Sequence, residues 1–329
     1  MKILLIGDFS NNYDEGLKNI AKNFFKYLSM DHEVKTLNIK SISLKTLLKL
    51  DKDFDVIHYF TSPTLSSFIL LKLLSFKSSS SKKIISALHP DFSTVIKNNI
   101  LRKIFGVFLK SDILLYQVNK DIFKDFGDKI VFLPNAVEIN KFKPVENKEK
   151  IKLREKYGLA TDKFTILHVG HISKRRNLEV LSKIPEIDDN YQVVIVSGEY
   201  LGVDSKILEN LNKSGCRVFI QYYPNIEEIY ALSDCYVFPV LWGDTINLPL
   251  TVLEAMSSNL PVVAMDYPTF ASFNQEGLYL VKDAHEVPSK IKELKHDLDN
   301  GLKVRNRENV LDYSWKEVVQ KLLNIYKNC

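Results

Sequence analysis

The sequence predicts an α/β protein made of two Rossmann-like domains, each with a doubly wound parallel sheet. Short apolar segments rich in β-branched residues recur along the chain, which is typical of strands that a parallel sheet buries on both faces. Segments with helical spacing separate them, and this alternation is the pattern of doubly wound folds. The length of 329 residues is about that of two such domains.

Eleven strands are predicted from these apolar segments. The first half of the chain contains six: Lys2–Ile6, Glu33–Ile39, Asp55–Phe60, Lys83–Leu88, Asp112–Tyr116 and Lys129–Leu133. The second half contains five: Phe164–Val169, Gln192–Val196, Arg217–Ile220, Cys235–Phe238 and Pro261–Ala264. Gly (12) and Pro (11) are scarce, which argues against an all-β protein rich in turns.

Three segments place their apolar residues at helical spacing: Gly16–Leu28, Pro249–Met256 and Trp315–Tyr326. In the first of them, Ile20, Phe24 and Leu28 share one face, as expected of a helix that packs on a sheet.

The charged segment at residues 140–150, NKFKPVENKEK, contains Pro144 and has no periodicity, so we interpret it as an exposed linker. We assign residues 1–145 to an N-terminal domain, residues 146–312 to a C-terminal domain and residues 313–329 to a terminal helix.

Charge is divided unequally between the two halves. Residues 1–150 contain 24 basic and 16 acidic residues, a net charge of +8, and residues 151–329 contain 21 and 24, a net charge of −3. This asymmetry indicates that the halves meet different partners. The lysines are scattered and no nucleic-acid motif is present, so nucleic acid is not an expected partner.

The cysteines and the apolar segments indicate where in the cell the protein is expected. Three cysteines without metal-ligand spacing fit a reduced, cytoplasmic setting. The N-terminus lacks the pattern of a signal peptide and is interpreted as a buried strand. The longest apolar stretch, Phe68–Phe76, contains Lys72 and is shorter than the about 20 residues that span a bilayer. We therefore expect a soluble or peripheral protein.

Ligands of open α/β sheets bind beyond the carboxyl ends of the strands, so two such domains predict a site in a cleft between them. The first loop, Gly7–Gly16, lacks the G-x-G-x-x-G fingerprint of dinucleotide binding. Gly16 begins the first helix and lets a ligand approach its N-terminus. A plain strand–helix turn is the alternative.

The second loop, Gly170–Asn177 (GHISKRRN), follows a predicted strand and precedes a predicted helix. It places three cations, Lys174, Arg175 and Arg176, at this junction. Fixed positive charge and free backbone amides are what a diphosphate needs. A solvated basic turn is the alternative.

The third loop leads into the sequence NLPLTVLEAM. Asn247 is suited to cap a helix and Pro249 to its first turn, and Glu254 then lies in the helix among apolar neighbours. A buried carboxylate needs partners, and paired ribose hydroxyls are suitable donors. A surface glutamate is the alternative.

Two histidines lie in or after predicted strands of the first half. His58 is interpreted as a core or strand-end residue, whereas His89 follows a strand and is the better candidate for contact with a ligand. Asp51, Asp53 and Asp55 form a D-x-D pattern before a strand, at the edge away from the expected site. We interpret them as a solvated loop.

Several of these motifs resemble those of family-four glycosyltransferases, retaining enzymes of glycosyl transferases group 1 with the GT-B fold. The similar segments are GHISKRR, IYALSDCYVFP, NLPLTVLEAMSSNLPVVA, LPNAVEINKFKP and YSWKEVVQKLLNIY. The resemblance covers most of residues 130–329 and is weaker before them. It implies a donor domain at 146–312, an acceptor domain at 1–145 and a terminal helix that crosses back to the N-terminal domain.

The resemblance also implies roles for individual residues. Arg175 and Arg176 match the phosphate-binding basic loop, with Gly170, His171 and Lys174 beside them. Glu254 matches the ribose-binding second glutamate of an E-x7-E motif. His89 resembles a histidine near the transferred sugar, and Tyr222 and Tyr223 lie where the nucleobase rests. The implied reaction uses a UDP- or GDP-sugar, no metal and no cofactor, and a glycan, lipid-linked or small-molecule acceptor.

The chain departs from the family pattern at several positions. Ile246 stands where the first glutamate of the E-x7-E motif belongs, and Asp244 or the backbone at Thr245, Ile246, Asn247 and Leu248 is the expected substitute for its sugar contact. His171 stands where arginine is frequent, and Asn177 and Ala136 stand where glycine is usual, although asparagine tolerates left-handed backbone.

Two functions from different classes remain open on the sequence. The first is a glycosyltransferase of polysaccharide or glycolipid biosynthesis. The second is a nucleotide-sugar-binding protein without catalysis, which Ile246 favours. Leu65–Lys77 and Lys97–Lys110 mix apolar residues with cations, so peripheral contact with an anionic membrane is a further expectation. Ordinary packing helices with basic outer faces are the alternative.

Overall fold

The computed structural model describes residues 1–10, 16–61, 64–88, 98, 100, 103, 111–117, 127–198, 202–241 and 246–328. The chain divides into two compact units. The first contains residues 1–136, 246–248 and 315–329, and the second contains residues 137–245 and 249–314. The division after Ala136 lies nine residues before the boundary assigned from the sequence.

The first unit is built on a six-stranded parallel sheet. Its strands are β1 (Lys2–Gly7), β2 (Glu33–Asn38), β3 (Val56–Thr61), β4 (Lys82–Ala87), β5 (Ser111–Tyr116) and β6 (Gly127–Phe132), in the order β2-β1-β3-β4-β5-β6. The side chains of Ile3, Leu4 and Leu5 in β1 are completely buried. The central position of β1 between β2 and β3 explains why neither of its faces is polar.

The helices with described bounds in the part of the first unit before β4 are α1 (Gly16–Leu28), α2 (Leu44–Lys49) and α3 (Leu65–Lys77). The last two begin at capping boxes. Ser43 and Thr46 form a capping box at α2, and Thr64 and Ser67 form another at α3, which satisfies amides that a helix N-terminus leaves without partners.

The second unit has its own six-stranded parallel sheet. Its strands are β7 (Phe164–Val169), β8 (Tyr191–Ser197), β9 (Arg217–Ile220), β10 (Cys235–Phe238), β11 (Val262–Met265) and β12 (Leu278–Val281), in the order β12-β11-β10-β7-β8-β9. Its α-helices are α4 (Asn147–Lys156), α5 (Ser205–Lys213), α6 (Ile226–Ala231), α7 (Leu250–Ser257) and α8 (Val287–Asp299). The reversal of strand order between β7 and β10 puts the topological switch point beside these two strands.

A last helix, α9 (Trp315–Lys327), belongs to the first unit although it follows the second unit in sequence. The Trp315 ring meets the Phe24 ring edge to face at 5.1 Å and stacks on Tyr27 at 5.5 Å. Both partners lie on α1, so the final helix completes the packing on that helix.

The structure confirms the predicted α/β class and all eleven predicted strands, with shifts of at most two residues at their ends. The sequence prediction missed β12, a four-residue edge strand. The expectation of an exposed linker at residues 140–150 is wrong in two places, because Phe142 is buried and residues 147–150 form the first turn of α4. Within the described ranges, none of the helices combines the length and apolar content needed to cross a bilayer.

Candidate functional site

The second unit carries two of the three predicted loops at the carboxyl edge of its sheet. The basic turn, defined as Lys174–Arg176, lies a few residues after the end of β7, and α7 follows β10. β7 and β10 are paired neighbours, so chain segments leaving their carboxyl ends start from adjacent positions. This is the position that open α/β sheets use for ligands.

The basic turn is a single turn of 3-10 helix. Its exit residue, Asn177, has left-handed backbone with φ 52° and ψ 29°, and its Nδ2 donates to the Pro239 carbonyl at 3.0 Å. Lys174 and Arg175 are exposed and Arg176 is partly buried. The side chains of the turn are thus cationic, and a hydrogen bond joins the end of the turn to Pro239, directly after β10.

The α-helix expected after this loop is not present. A second 3-10 segment, Leu178–Lys183, follows Asn177 directly. The left-handed residue interrupts the helical path, and the Arg176 amide is already used within the turn by the Ser173 carbonyl at 3.0 Å. The turn therefore offers side-chain charge and no α-helix N-terminus.

Gly170 lies directly over a buried histidine of β7. Its amide donates to the Val196 carbonyl at 2.9 Å, and a Cβ at this position would lie 3.0 Å from Nε2 of His168. The glycine lets the backbone pass close to the imidazole. Nδ1 of His168 lies 2.9 Å from the Val237 carbonyl, so Nδ1 carries the proton of the neutral ring.

Burial lowers the pKa of His168 to about 4, and the charges of Arg176 and His171 act in the same direction. His168 is therefore neutral at physiological pH. The positive charge of this loop therefore lies on the basic turn and not on His168. His171, which the resemblance placed beside the phosphates, is partly buried in this loop.

Glu254 occupies the second turn of α7 and keeps partial exposure. Tyr230 of α6 donates a hydrogen bond to its Oε2 at 2.7 Å. Burial raises the pKa of Glu254 to about 7, whereas the Tyr230 hydrogen bond and the charge of Lys141 lower it. The carboxylate thus has partners, and the alternative of an ordinary surface glutamate is wrong.

Arg176 of the basic turn and Glu254 both affect the pKa of Tyr236, a buried tyrosine of β10. Burial raises the pKa of Tyr236, and the Glu254 charge raises it further, whereas the Arg176 charge lowers it. The Tyr236 hydroxyl lies 3.4 Å from the Val169 carbonyl at the end of β7. Arg176 and Glu254 are therefore both close enough to the Tyr236 hydroxyl to affect its ionisation.

The structure places the segment Ile246–Leu248 differently from the sequence prediction. Asn247 does not cap α7, whose N-cap is Pro249 without a side-chain hydrogen bond. In the first unit, the Asn247 amide donates to the Leu88 carbonyl at 2.8 Å and its Nδ2 to the Ala87 carbonyl at 3.2 Å. Its side chain is used to hold the segment at the end of β4.

The same segment has a second anchor. Nδ2 of Asn135 donates to the Leu248 carbonyl at 2.7 Å, and Oδ1 of Asn135 accepts from Gln117 at 2.7 Å. Leu248 is buried and Ile246 is partly buried. Leu88, which Asn247 contacts, directly precedes His89.

The predicted base-contacting tyrosines follow β9. Tyr222 is exposed, and the Tyr223 ring meets Tyr157 at 6.0 Å and Phe219 at 5.9 Å, both edge to face. Tyr223 is thus held by neighbouring rings, whereas Tyr222 presents an aromatic ring to solvent. Gly16 begins α1 in the first unit, as predicted.

Three of the predicted site residues, His89, Asp244 and Thr245, lie outside the described residues. Asp51 and Asp53 of the D-x-D pattern lie within them, and both form ion pairs with Lys2 at 3.0 and 3.2 Å. Within the described part of the chain, no cluster of three or more metal-ligating side chains is found.

Sequence reasoning missed Tyr230 and Lys141 as neighbours of Glu254. Tyr230 appears in IYALSD as one apolar position of a short helix, and only its 2.7 Å contact with Glu254 shows its role. Lys141 forms an ion pair with Glu227 at 3.1 Å and was assigned to a linker. No local pattern marks either residue, because their partners are remote in sequence.

Comparison with curated proteins gives relatives among glycosyltransferases. An uncharacterized glycosyltransferase of Methanocaldococcus jannaschii is 26% identical over 78% of this chain and 64% of its own length. The alpha-galactosylglucosyldiacylglycerol synthase of Streptococcus pneumoniae is 22% identical over 70% of this chain and 65% of its own length. The chain thus spans somewhat less than two thirds of each relative.

Solved structures show the same architecture. The Anabaena protein HepE, crystallised in complex with UDP and glucose, superimposes with a TM-score of 0.74 at 15% identity and full coverage of both chains. A glycosyltransferase of Rickettsia africae gives 0.71 at 17% identity, covering 99% of this chain and 98% of its own. At such identities the likeness shows the fold alone, which is the GT-B class of α/β fold.

The profile of one protein family, described as glycosyl transferases group 1, matches residues 149–314. This range is half of the chain and contains the basic turn, Tyr230 and Glu254. The match, together with the relatives, shows that the chain belongs to the glycosyl transferases group 1 family.

Proposed function

We propose that this protein is a glycosyltransferase that moves a sugar from a UDP- or GDP-sugar to a glycan, lipid-linked or small-molecule acceptor. We propose further that the transferred sugar is a hexose or a related sugar, that the reaction retains the configuration of the anomeric carbon, and that it uses neither a metal ion nor another cofactor.

One observation carries the proposal: the basic turn follows β7, Glu254 lies on the helix that follows β10, and these two strands are paired neighbours in one sheet. A nucleoside diphosphate needs cations for its phosphates and an acceptor for its ribose hydroxyls, set a short distance apart. A basic turn after one strand and a carboxylate on the helix after its neighbour supply both.

The roles proposed for the site residues follow from the negative charge that develops on the diphosphate during sugar transfer. The bond between the anomeric carbon and the diphosphate oxygen breaks, the acceptor oxygen bonds to that carbon, and the acceptor proton leaves with the diphosphate. Arg175 and Arg176 stabilise the negative charge that grows on the leaving group. Glu254 accepts hydrogen bonds from the ribose, and Tyr222 offers an aromatic face to the base. His89 is assigned to the transferred sugar.

The experiment that tests this function has two steps. A thermal-shift screen against nucleoside diphosphates and their sugars should raise the melting temperature with UDP or GDP compounds, because a ligand of the native state stabilises it. Release of UDP or GDP is then measured with a panel of acceptors. Absence of any nucleotide shift would contradict the proposal. Binding without release across the panel would favour a nucleotide-sugar-binding protein instead.

We propose that the first unit contacts an anionic membrane through one face of α3. On that face Leu73 is 53% and Phe76 is 78% exposed, with exposed Lys72 beside them. Leu48 of α2, 71% exposed, lies near the end of α3, since Nζ of Lys77 donates to the Leu48 carbonyl at 2.7 Å. Exposed apolar side chains with interspersed lysines suit the boundary of an anionic bilayer.

This membrane contact uses only part of the region predicted from the sequence. Leu65–Lys77 is α3, whereas Lys97–Lys110 lies outside the described residues apart from Asn98, Ile100 and Lys103. A lipid-linked acceptor would be reached from such a surface. The positive charge of the first half supports attraction to anionic lipid.

Flotation with phosphatidylglycerol vesicles tests the membrane contact. The double variant L73D/F76D should lose binding, because it replaces exposed apolar groups by charges that anionic lipid repels. The matched control is L311D, which changes an exposed leucine of the second unit (43% exposed). Failure of the unaltered protein to float at low salt, or equal flotation of L73D/F76D, would overturn the proposal.

A further inference from the structure

We propose that Tyr230 is a positioning residue for Glu254, and that the hydrogen bond from its hydroxyl holds the carboxylate in place for the ribose of the donor. The inference rests on the proposed function, since it assigns Glu254 to the ribose. Tyr230 would then be the residue that favours the charged form of Glu254 at the nucleotide site.

The geometry fixes the tyrosine and leaves the carboxylate reachable. Tyr230 is completely buried, with Phe142 edge to face at 5.3 Å and Tyr236 stacked at 5.9 Å. These contacts prevent the ring from turning away. Its hydroxyl donates to Oε2 of Glu254 at 2.7 Å, and Glu254 retains partial exposure. The tyrosine therefore holds the carboxylate from the protein side while the other side meets a ligand.

Four groups from three elements surround the Glu254 carboxylate electrostatically. Lys141, in the segment before α4, favours its charge, and Glu227 of α6 opposes it. Lys141 also forms an ion pair with Glu227 at 3.1 Å, so its charge is shared between the two carboxylates. Tyr236 of β10 also interacts with the Glu254 charge. Among the described residues, Tyr230 donates the hydrogen bond that the Glu254 side chain accepts.

Loss of the Tyr230 hydroxyl therefore changes the protonation of the Glu254 carboxyl group. Burial disfavours the charged carboxylate and raises the pKa of Glu254 to about 7, and the Tyr230 hydrogen bond opposes this rise. A phenylalanine in its place moves the equilibrium towards the neutral acid at neutral pH. The neutral acid accepts fewer hydrogen bonds from the paired ribose hydroxyls than the carboxylate does, so nucleotide binding weakens.

The test is a pH series of UDP affinity by calorimetry, with GDP in parallel. We expect Y230F to bind the nucleotide about tenfold more weakly at pH 7, which corresponds to one lost hydrogen bond to a charged group. At pH 9 both proteins carry an ionised Glu254, so the difference should become much smaller. A purely structural role would lower affinity by the same factor at every pH.

Y279F is the matched control. The Tyr279 hydroxyl donates to Oδ2 of Asp297 at 2.5 Å, which is the same hydroxyl–carboxylate chemistry in the same unit, away from α7. Y279F should leave the pH dependence of UDP binding unchanged. In an E254Q background, Y230F should have no further effect on the pH dependence, because the titrating group is gone.

A second readout does not depend on nucleotide binding. Carbon-13 NMR of labelled glutamate in the unaltered protein should show the Glu254 carboxyl titrating near pH 7, and in Y230F at a higher pH. Titration of Glu254 at the usual value near 4.5 in the unaltered protein, or no change in Y230F, would overturn the inference. If no nucleotide binds at any pH while the NMR midpoint moves as expected, the proposed function fails and the Tyr230–Glu254 link stands.

Discussion

Nδ1 of His58 lies 2.6 Å from the hydroxyl of Tyr326, although 268 positions separate the two residues. His58 is buried in β3, and its Nε2 lies 2.8 Å from Oγ of Ser86 on β4. Tyr326 lies near the end of α9, and its carbonyl accepts from Nζ of Lys82 at 3.0 Å. The last helix of the chain is thus joined to the first sheet by buried polar contacts as well as by packing.

The first prediction concerns this contact. Y326F should lower the free energy of unfolding by about 1–3 kcal/mol, because it leaves a nitrogen of a completely buried imidazole without a partner. The midpoint of urea unfolding measures the effect. Y222F, which alters an exposed tyrosine, serves as the control and should leave the midpoint unchanged. Equal midpoints for Y326F and the unaltered protein would show that the hydrogen bond contributes nothing.

The second prediction concerns pH and His168. Burial lowers the pKa of this histidine to about 4, from 6.5 in the unfolded chain, so between these values the unfolded state binds more protons. Stability from the neutral ring is therefore complete above pH 6.5 and decreases as the pH falls towards 4. From pH 7.5 down to pH 5 the loss amounts to about 2 kcal/mol, since each pH unit between the two pKa values is worth about 1.4 kcal/mol.

H168N isolates this contribution, because the asparagine amide can still donate towards the Val237 carbonyl but does not titrate. We expect H168N to be less stable than the unaltered protein at pH 7.5 and the difference to shrink at pH 5, as measured by urea unfolding at each pH. Parallel stability curves for the two proteins would contradict the assignment of a neutral histidine.

The strands were predictable from sequence because burial on both faces demands continuous apolar residues. Phe164–Val169 and Cys235–Phe238 have the same bounds in the sequence prediction and in the structure. The edge strand Leu278–Val281 was missed because an edge position relaxes that demand, and its two middle residues are only partly buried. The prediction of an α-helix after the basic turn is wrong for another reason, because Asn177 has left-handed backbone dihedral angles that an α-helix does not contain.

The candidate site was predictable only where a motif is local. The basic turn and Glu254 were found from their neighbours in sequence. The contacts that organise them were not, because they join remote segments: Asn247 bonds to Ala87, 160 positions away, and Tyr230 reaches Glu254 from another helix. Asparagine before a helix suggests a cap, and nothing local indicates that its side chain is used at the end of β4 instead.

The third prediction concerns the basic turn. The double variant R175A/R176A should reduce kcat at least a hundredfold, because each lost contact to the leaving diphosphate removes about 3 kcal/mol of transition-state stabilisation. K183A removes an exposed cation from the 3-10 segment that follows and should retain near-normal turnover. Normal turnover of R175A/R176A, measured as nucleotide release, would show that the diphosphate binds elsewhere.

The fourth prediction separates the two contributions of Asn177. Its left-handed backbone costs about 1 kcal/mol or more for a residue with a Cβ other than asparagine or aspartate, and its side chain donates to Pro239 at 3.0 Å. N177G keeps the backbone conformation and loses the hydrogen bond, whereas N177A loses both. Unfolding should therefore become easier in the order unaltered protein, N177G, N177A.

Turnover should respond to Asn177 differently from stability. Since the side-chain bond ties the basic turn to the segment after β10, both variants should raise the KM for the donor by a similar factor, and only N177A should add a clear loss in unfolding midpoint. Gly158 provides the control, because it also has positive φ, at 64°, and among the described residues beyond its two chain neighbours no atom lies within 4 Å of the point that a Cβ would occupy. G158A should therefore destabilise the protein through its backbone alone and leave KM unaltered. A KM change in G158A equal to that in N177G would mean that stability, and not placement of the turn, governs donor binding.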